Sequence, residues 1–168
     1  MVTERDGLLA AGAWGAVAGM RTFSAPALLS IAWAGRRRPP APGRIERALG
    51  ARAAPWVLGA LAVFELGADQ WPGLPARIAP PSLVGRMLSG AVVGSALGRH
   101  RAGRGATVGA TVGAASAAAS AFASYGLRRA ANRRLPNSLS GLLEDALVLG
   151  AGAALVRRVR STGFSPGR

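Results

Sequence analysis

The sequence predicts an all-α fold, a polytopic bundle of membrane-embedded helices with glycine-zipper packing, and two observations lead to this fold class. Long stretches of the chain are nearly free of charge, and the arginines cluster between them. The stretches run from about 16 to 28 residues, close to the ~20 that a helix needs to cross the hydrocarbon core of a bilayer. Apolar blocks separated by short arginine loops are typical of multispanning membrane proteins.

The composition agrees with this fold class and argues against others. The 168 residues include 21 basic residues, all of them arginine, and 7 acidic ones, which gives a formal charge of +14. Only 17% of the residues are charged, and the mean hydropathy is +0.27. A basic domain that binds nucleic acid should be richer in polar residues, so we expect no nucleic-acid partner. The chain has no cysteine, which excludes a disulfide framework, a thiolate metal site and a cysteine nucleophile.

The apolar blocks predict five or six helical segments in a single domain, residues 1–168. They share a near absence of charged residues, and they are 8–35, 53–70, 83–98, 105–127 and 139–156. The first block is either one tilted helix broken at Arg21 or a tight pair of segments, 8–20 and 22–35.

A soluble helical bundle and a cleaved signal peptide are the competing interpretations. A soluble bundle needs polar residues at every third or fourth position, whereas 106–125 offers only Thr and Ser. A signal peptide over 8–27 should follow a positively charged start, but the leader carries Glu4 and Asp6 against Arg5. We therefore expect a multi-pass protein of the inner (plasma) membrane.

Glycines spaced four residues apart predict close contacts between helices. Four residues make just over one turn, so each set forms a stripe without side chains on one helix face. In lipid, such stripes allow close backbone approach, which supplies dispersion and weak hydrogen bonds. We expect them to pack helices within one subunit, with a homo-oligomeric interface as the alternative. The glycines are Gly15, Gly19, Gly90, Gly94, Gly98, Gly105, Gly109 and Gly113.

Seven charged residues lie within or next to the apolar blocks and form the predicted polar site. A charge at membrane depth costs about 3 kcal/mol, so such residues are usually paired or face a polar cavity. If the later blocks cross the membrane, chain order places six of these residues toward one side of the molecule, and Arg21 joins them if the first block is a pair of segments. The seven residues are Arg21, Glu65, Asp69, Arg77, Arg86, Glu144 and Asp145.

These charges have two interpretations. In the first, they are ion pairs that hold helices in register. In the second, they line a cavity in which Arg21 and Arg86 hold an anion and the carboxylates carry protons or bind a cation. Glu144 and Asp145 are adjacent, so their side chains point about 100° apart on a helix and cannot share one contact.

The function expected from this site is that of a small transporter or channel-like protein, coupled to an ion or a proton. The alternative is a non-catalytic membrane scaffold or assembly partner with structural ion pairs. We expect no cofactor, no metal and no enzymatic activity, because the sequence lacks zinc-ligand spacing and a phosphate-binding loop and has a single histidine, His100. The expected partner is the bilayer, with anionic lipid headgroups at the arginine loops, each arginine contributing about 1 kcal/mol.

Three motifs, in chain order, carry a likeness to a known family. The segment 15–21 ends in Arg21, and the pair Glu144-Asp145 comes late in the chain. Between them lies Glu65-x3-Asp69-x2-Pro72-x2-Pro75-x-Arg77-x2-Pro80, with Arg86 behind it. Together these motifs resemble an uncharacterised family of small bacterial integral-membrane proteins, the domain of unknown function 4126 family. The likeness covers about residues 7–156. It implies a polytopic membrane protein without an established activity. In that family a lysine often follows the aspartate, whereas this chain has Gln70.

A short internal repeat predicts an inverted architecture. Residues 15–19 and 90–94 both read GAVxG, and each segment is followed about 50 residues later by an acidic residue, Glu65 or Glu144. If the halves 8–70 and 83–156 each hold three spans, the two copies run in opposite orientations. Such 3+3 inverted repeats are common in secondary transporters.

The arginine loops do not give one consistent orientation. The positive-inside rule places 36–52 in the cytoplasm and the proline-rich loop 71–82 outside. Strict alternation then places the arginines of 99–104 inside but those of 128–134 outside, against the rule. Either 105–127 does not fully cross, or the spans are miscounted, or the protein inserts in both orientations.

Overall fold

The chain folds into helices throughout the part that the computed structural model describes, residues 4–34, 43–68, 79–98, 105–134 and 136–161. Within these ranges there are seven α-helices and no strand, which confirms the all-α prediction. The helices are α1 (Glu4–Met20), α2 (Ser24–Trp33), α3 (Arg44–Leu49), α4 (Ala54–Ala68), α5 (Pro80–Gly98), α6 (Gly105–Ala131) and α7 (Asn137–Ser161).

The first apolar block forms two helices. α1 ends at Met20 and α2 begins at Ser24, so of the two alternatives for 8–35 the pair of segments is correct. The short helix α3, inside the arginine-rich stretch 36–52, was not expected from the sequence. At its start the N–H of Gly43 donates to the carboxylate of Glu46, which satisfies a backbone donor that has no partner inside the helix.

Prolines and arginines mark several helix ends. Pro55 lies in the first turn of α4, and Pro80 and Pro81 begin α5. Proline has no backbone N–H, and in the first turn of a helix that donor would lack an acceptor in any case. Arg128 and Arg129 lie in the last turn of α6, where positive charge interacts favourably with the helix dipole.

Three helices, α1, α5 and α6, pack against one another at the centre, and α2 packs against α4 and α7. α5 and α6 interlock through glycine. A Cβ added at Gly94 would overlap the carbonyl oxygen of Gly109, and a Cβ added at Gly109 would overlap that of Gly94. Similar close approaches join Gly90 to Gly113, Gly98 to Gly105, Gly15 to Gly113, and Gly19 to Ala117. The predicted packing glycines therefore all lie at contacts within one chain.

Small and charged side chains fill much of the interior, while large apolar side chains cover much of the outside. Alanines make up nearly half of the buried apolar residues, and Arg21 and Arg86 are only 2% and 3% exposed. By contrast, Trp56 is 82% exposed and Phe64 is 73% exposed. Among the described residues, more large apolar side chains are exposed than are buried.

Two helices are long and apolar enough to cross a membrane, judged by length and composition alone. They are Gly105–Ala131 and Leu139–Ser161. The core helix of a soluble protein can meet the same criteria when it is mostly buried. Here only 22% and 28% of the two apolar windows are buried inside the protein.

The glycine contacts predict opposite effects for two substitutions in the same helix. Gly109→Ala places a Cβ against the backbone of α5, 3.1 Å from Gly98 Cα, so we expect a loss of about 1–3 kcal/mol in the free energy of unfolding from overpacking. Gly126→Ala is the matched control, because nothing lies within 4 Å of its Cβ. The control should gain about 0.5–1 kcal/mol from helix propensity. Thermal unfolding of the purified protein measures both, and equal shifts of the two melting temperatures would contradict the interlocking.

Candidate functional site

The candidate site is the interruption between α1 and α2, at residues 21–23. A helix end leaves backbone groups without partners inside the helix: carbonyl oxygens at the C-terminus of α1 and N–H groups at the N-terminus of α2. Because the interruption lies in the interior, these groups need partners from elsewhere in the protein. Side chains from α4 and α5 supply many of them.

Arg86 of α5 covers the carbonyl end of α1. Its Nη1 donates to the carbonyl oxygen of Gly19 at 2.7 Å and to that of Met20. Its Nε lies 3.3 Å from Ser82 Oγ, a hydroxyl one turn earlier on the same helix. A buried cation at the C-terminus of a helix is also favoured by the helix dipole, whose negative end lies there.

Glu65 of α4 binds the other side of the interruption, where the chain enters α2. The backbone N–H of Thr22 donates to Glu65 Oε1 at 2.7 Å, and that of Phe23 donates to Oε2 at 2.9 Å. Both oxygens of one carboxylate therefore bind the turn that leads into α2, more than 40 residues away in sequence. The carboxylate is favoured at this position because the N-terminus is the positive end of the helix dipole.

Arg21 lies in the interruption itself and connects it to α7. Its Nη2 forms an ion pair with Asp145 Oδ1, and its Nη1 lies 3.5 Å from the carbonyl oxygen of Glu65. Arg86 Nη2 is 4.0 Å from Glu65 Oε1. We call these four residues, Arg21, Glu65, Arg86 and Asp145, the break cluster. It holds two guanidiniums and two carboxylates, so its formal charge is zero.

Exposure differs between the two kinds of charge in the break cluster. The arginine side chains are 2% and 4% exposed, whereas those of Glu65 and Asp145 are 15% and 17% exposed. The carboxylates are thus the accessible members of the cluster.

Glu144 lies next to the break cluster but faces a different helix. Its Oε2 is 3.6 Å from Arg128 Nη1 of α6, while the neighbouring Asp145 pairs with Arg21. The two acids thus point to different partners, as their adjacent positions on a helix require. Glu144 and Arg128 belong to the lining of a pocket between α6 and α7, with a volume of about 180 Å³. Its apolar walls include Met20, Leu127, Leu143 and Leu147.

The structure therefore brings four of the seven predicted site residues together and places Glu144 beside them. Asp69 and Arg77 lie outside the described residues. Both guanidiniums of the break cluster bind groups of the protein, whereas one of the two sequence interpretations assigned them to an anion. Among the described residues, no group of three or more acidic or histidine side chains has the geometry to hold a metal ion.

Sequence reasoning missed Arg128 and the hydroxyl groups around the interruption. Arg128 is one of four clustered arginines, and nothing in the sequence singles it out as the partner of Glu144. Ser82 and Ser89 lie four residues before and three after Arg86, a spacing that places all three on one helix face. Ser89 Oγ donates to the carbonyl oxygen of Thr22, so this spacing was a usable signal.

Comparisons with family models, with curated proteins and with solved structures find no match to this chain. The resemblance to the domain of unknown function 4126 family therefore stays a prediction from the sequence motifs.

The pair between Arg21 and Asp145 predicts strongly non-additive stability effects. Arg21→Met leaves a carboxylate in the interior without its cation, so the free energy of unfolding should fall by about 3–5 kcal/mol. The double variant Arg21→Met/Asp145→Leu removes both charges and should be markedly more stable than Arg21→Met alone. Arg157→Gln, on the exposed end of α7, controls for the loss of one positive charge. Additive losses in a double-mutant cycle by denaturant titration would show that the two side chains do not stabilise each other.

Proposed function

We propose that this chain is an integral membrane protein that crosses the inner (plasma) membrane several times. The observation that carries this proposal is the distribution of side chains: alanine, glycine and two arginines contribute much of the interior, and more large apolar side chains are exposed than buried. Monomeric soluble proteins rarely expose extended apolar surface, because it drives association in water. In a bilayer the same groups face lipid tails, and helices pack through small residues instead.

The helix surfaces support this proposal in detail. α4 exposes Trp56, Val63 and Phe64, and α7 exposes Leu142 and Leu143. The two helices that are long enough to span are also largely unburied, unlike the core helix of a soluble protein. The finer prediction, five or six embedded segments arranged as a 3+3 inverted repeat, belongs to this proposal.

Under this proposal the break cluster lies within the apolar layer. Asp145 comes eight residues after the start of α7, and Arg86 comes six residues after the start of α5. At 1.5 Å per residue these offsets correspond to about 12 and 9 Å along the helices. At this depth an unpaired charge would be costly, which explains why each guanidinium in the cluster has an acidic partner.

Membrane fractionation tests the proposed location. The expressed protein should sediment with membranes and remain there after washing with about 1 M salt, roughly seven times physiological ionic strength, or with alkaline carbonate. Salt screens electrostatic attachment of the arginines to lipid headgroups, so release by either wash would contradict the embedded arrangement.

The activity that we propose is transport of a proton or small ion, coupled to the break cluster. Discontinuous helices whose ends meet at charged residues are how many transporters build sites in the bilayer. Glu65 and Asp145 are the accessible members of the cluster, so they would receive the proton or cation. A proton on Asp145 would weaken its pair with Arg21 and thereby loosen α7 from the helix interruption.

A membrane scaffold is the second candidate, and a specific observation favours it. Both guanidiniums bind acceptors of the protein, and the formal charge of the cluster is already balanced. Such an arrangement holds α1, α4, α5 and α7 in register without any ligand. In a scaffold the partner would be another membrane protein or a second copy of this chain.

Ion flux in reconstituted vesicles separates the two candidates. For a transporter, vesicles with an imposed membrane potential should show proton or Na⁺ uptake above that of empty vesicles. Asp145→Asn should lower the uptake at least tenfold, since an amide neither carries the proton nor pairs as an anion with Arg21, while Arg157→Gln should leave it unchanged. The double variant Arg21→Met/Asp145→Leu keeps the helices paired without charge, so it should fold and yet show no uptake. If the wild-type protein shows no flux of either ion, the scaffold is favoured.

A further inference from the structure

We propose that the pocket between α6 and α7 is a binding site for an anionic phospholipid, with an acyl chain in the pocket and the phosphate at the adjoining arginines. This inference rests on the membrane location proposed above, but not on transport. It assigns a ligand to a part of the molecule that the break cluster does not use.

The pocket walls fit an acyl chain. Met20, Leu127, Leu143 and Leu147 contribute apolar side chains. A volume of about 180 Å³ corresponds to about six water molecules at roughly 30 Å³ each, which is enough for a segment of one chain but not for a whole lipid. Leu127 and Leu143 are 67% and 61% exposed, so the pocket opens to the surface that would face lipid.

The arginine in the pocket lining and the arginines next to it in the chain fit a phosphate. Arg128 and Arg129 lie in the last turn of α6, and Arg133 and Arg134 follow directly after the helix. Arg129, Arg133 and Arg134 are exposed, and Arg128 is partly buried in the lining of the pocket. Clusters of arginine next to a membrane-spanning helix attract anionic lipids. Guanidiniums suit phosphate in particular, because they can donate two parallel hydrogen bonds to it.

The carboxylate of Glu144 competes with the lipid phosphate for Arg128 in the proposed site. This carboxylate lies 3.6 Å from Arg128, beside the position proposed for the phosphate. It therefore holds Arg128 at the pocket when no lipid is bound, and it repels the phosphate when lipid arrives. A cation site would show the opposite behaviour, since it would depend on the carboxylate.

The test uses the full-length protein in a neutral detergent, titrated with phosphatidylglycerol, phosphatidylcholine with the same acyl chains, or inorganic phosphate. Thermal unfolding and native mass spectrometry measure stabilisation and the number of bound lipids. We expect phosphatidylglycerol to raise the melting temperature more than either of the other two additives. If phosphatidylcholine is equally effective, the arginines do not select the headgroup, and if inorganic phosphate is equally effective, the pocket plays no part. Either result overturns the proposal.

Four variants sharpen the test. Leu143→Trp fills the pocket, and Arg129→Gln/Arg133→Gln removes two cations, so each should weaken phosphatidylglycerol binding at least fivefold. Glu144→Gln removes the repelling carboxylate and should strengthen binding about fivefold. Arg157→Gln, at the far end of α7, should leave binding unchanged.

Weaker binding by Glu144→Gln would show that the carboxylate supports lipid binding instead of opposing it, and an equal loss in Arg157→Gln would reveal diffuse charge attraction. Both outcomes contradict the proposed site. Melting temperatures without lipid show whether each variant folds. Membrane fractionation is an independent measurement, so failure of the lipid site leaves the membrane location standing.

Discussion

The interruption between α1 and α2 is the constraint on which the arrangement of the other helices depends. It exposes carbonyl oxygens and N–H groups in the interior, where an unsatisfied backbone group is costly. α5 supplies a guanidinium for the carbonyl end, α4 supplies a carboxylate for the amide end, and α7 supplies the anion for Arg21. A shift of any one of these helices would therefore remove the partner of a buried polar group.

The glycine contacts make this arrangement possible, because they determine how close the central helices come. Gly90 and Gly15 both meet the backbone of Gly113, so α1 and α5 approach α6 at the same level. At that distance the guanidinium of Arg86, which lies one turn before Gly90 on α5, reaches the end of α1. Larger residues at the contacts would separate the helices and leave the interruption open. The contacts of the long charged side chains therefore depend on the small residues that bring the helices together.

Much of this architecture is predictable from local sequence, and the rest depends on contacts that have no local signature. The charge-free blocks and the spacing of glycines predict the main helices and the faces that pack, because both follow from the helical repeat. For the same reason, the sequence predicts that the side chains of Glu144 and Asp145 point to different partners. The pairing of Glu65 with backbone N–H groups is not predictable, because nothing in the local sequence of residues 21–23 indicates which distant side chain binds their N–H groups. The partner of Glu144 is equally hidden, since the clustered arginines of 128–134 look alike in sequence.

The order in which the break cluster is synthesised has a consequence for how the chain reaches its final structure. Arg21 leaves the ribosome first, and its contacts at Glu65 and Asp145 follow 44 and 124 residues later. Until α7 is synthesised, the Arg21 guanidinium therefore lacks the carboxylate of Asp145, its ion-pair partner in the folded structure. Only when α7 emerges does the last carboxylate arrive. The C-terminal quarter of the chain thus completes an assembly that the N-terminal quarter begins.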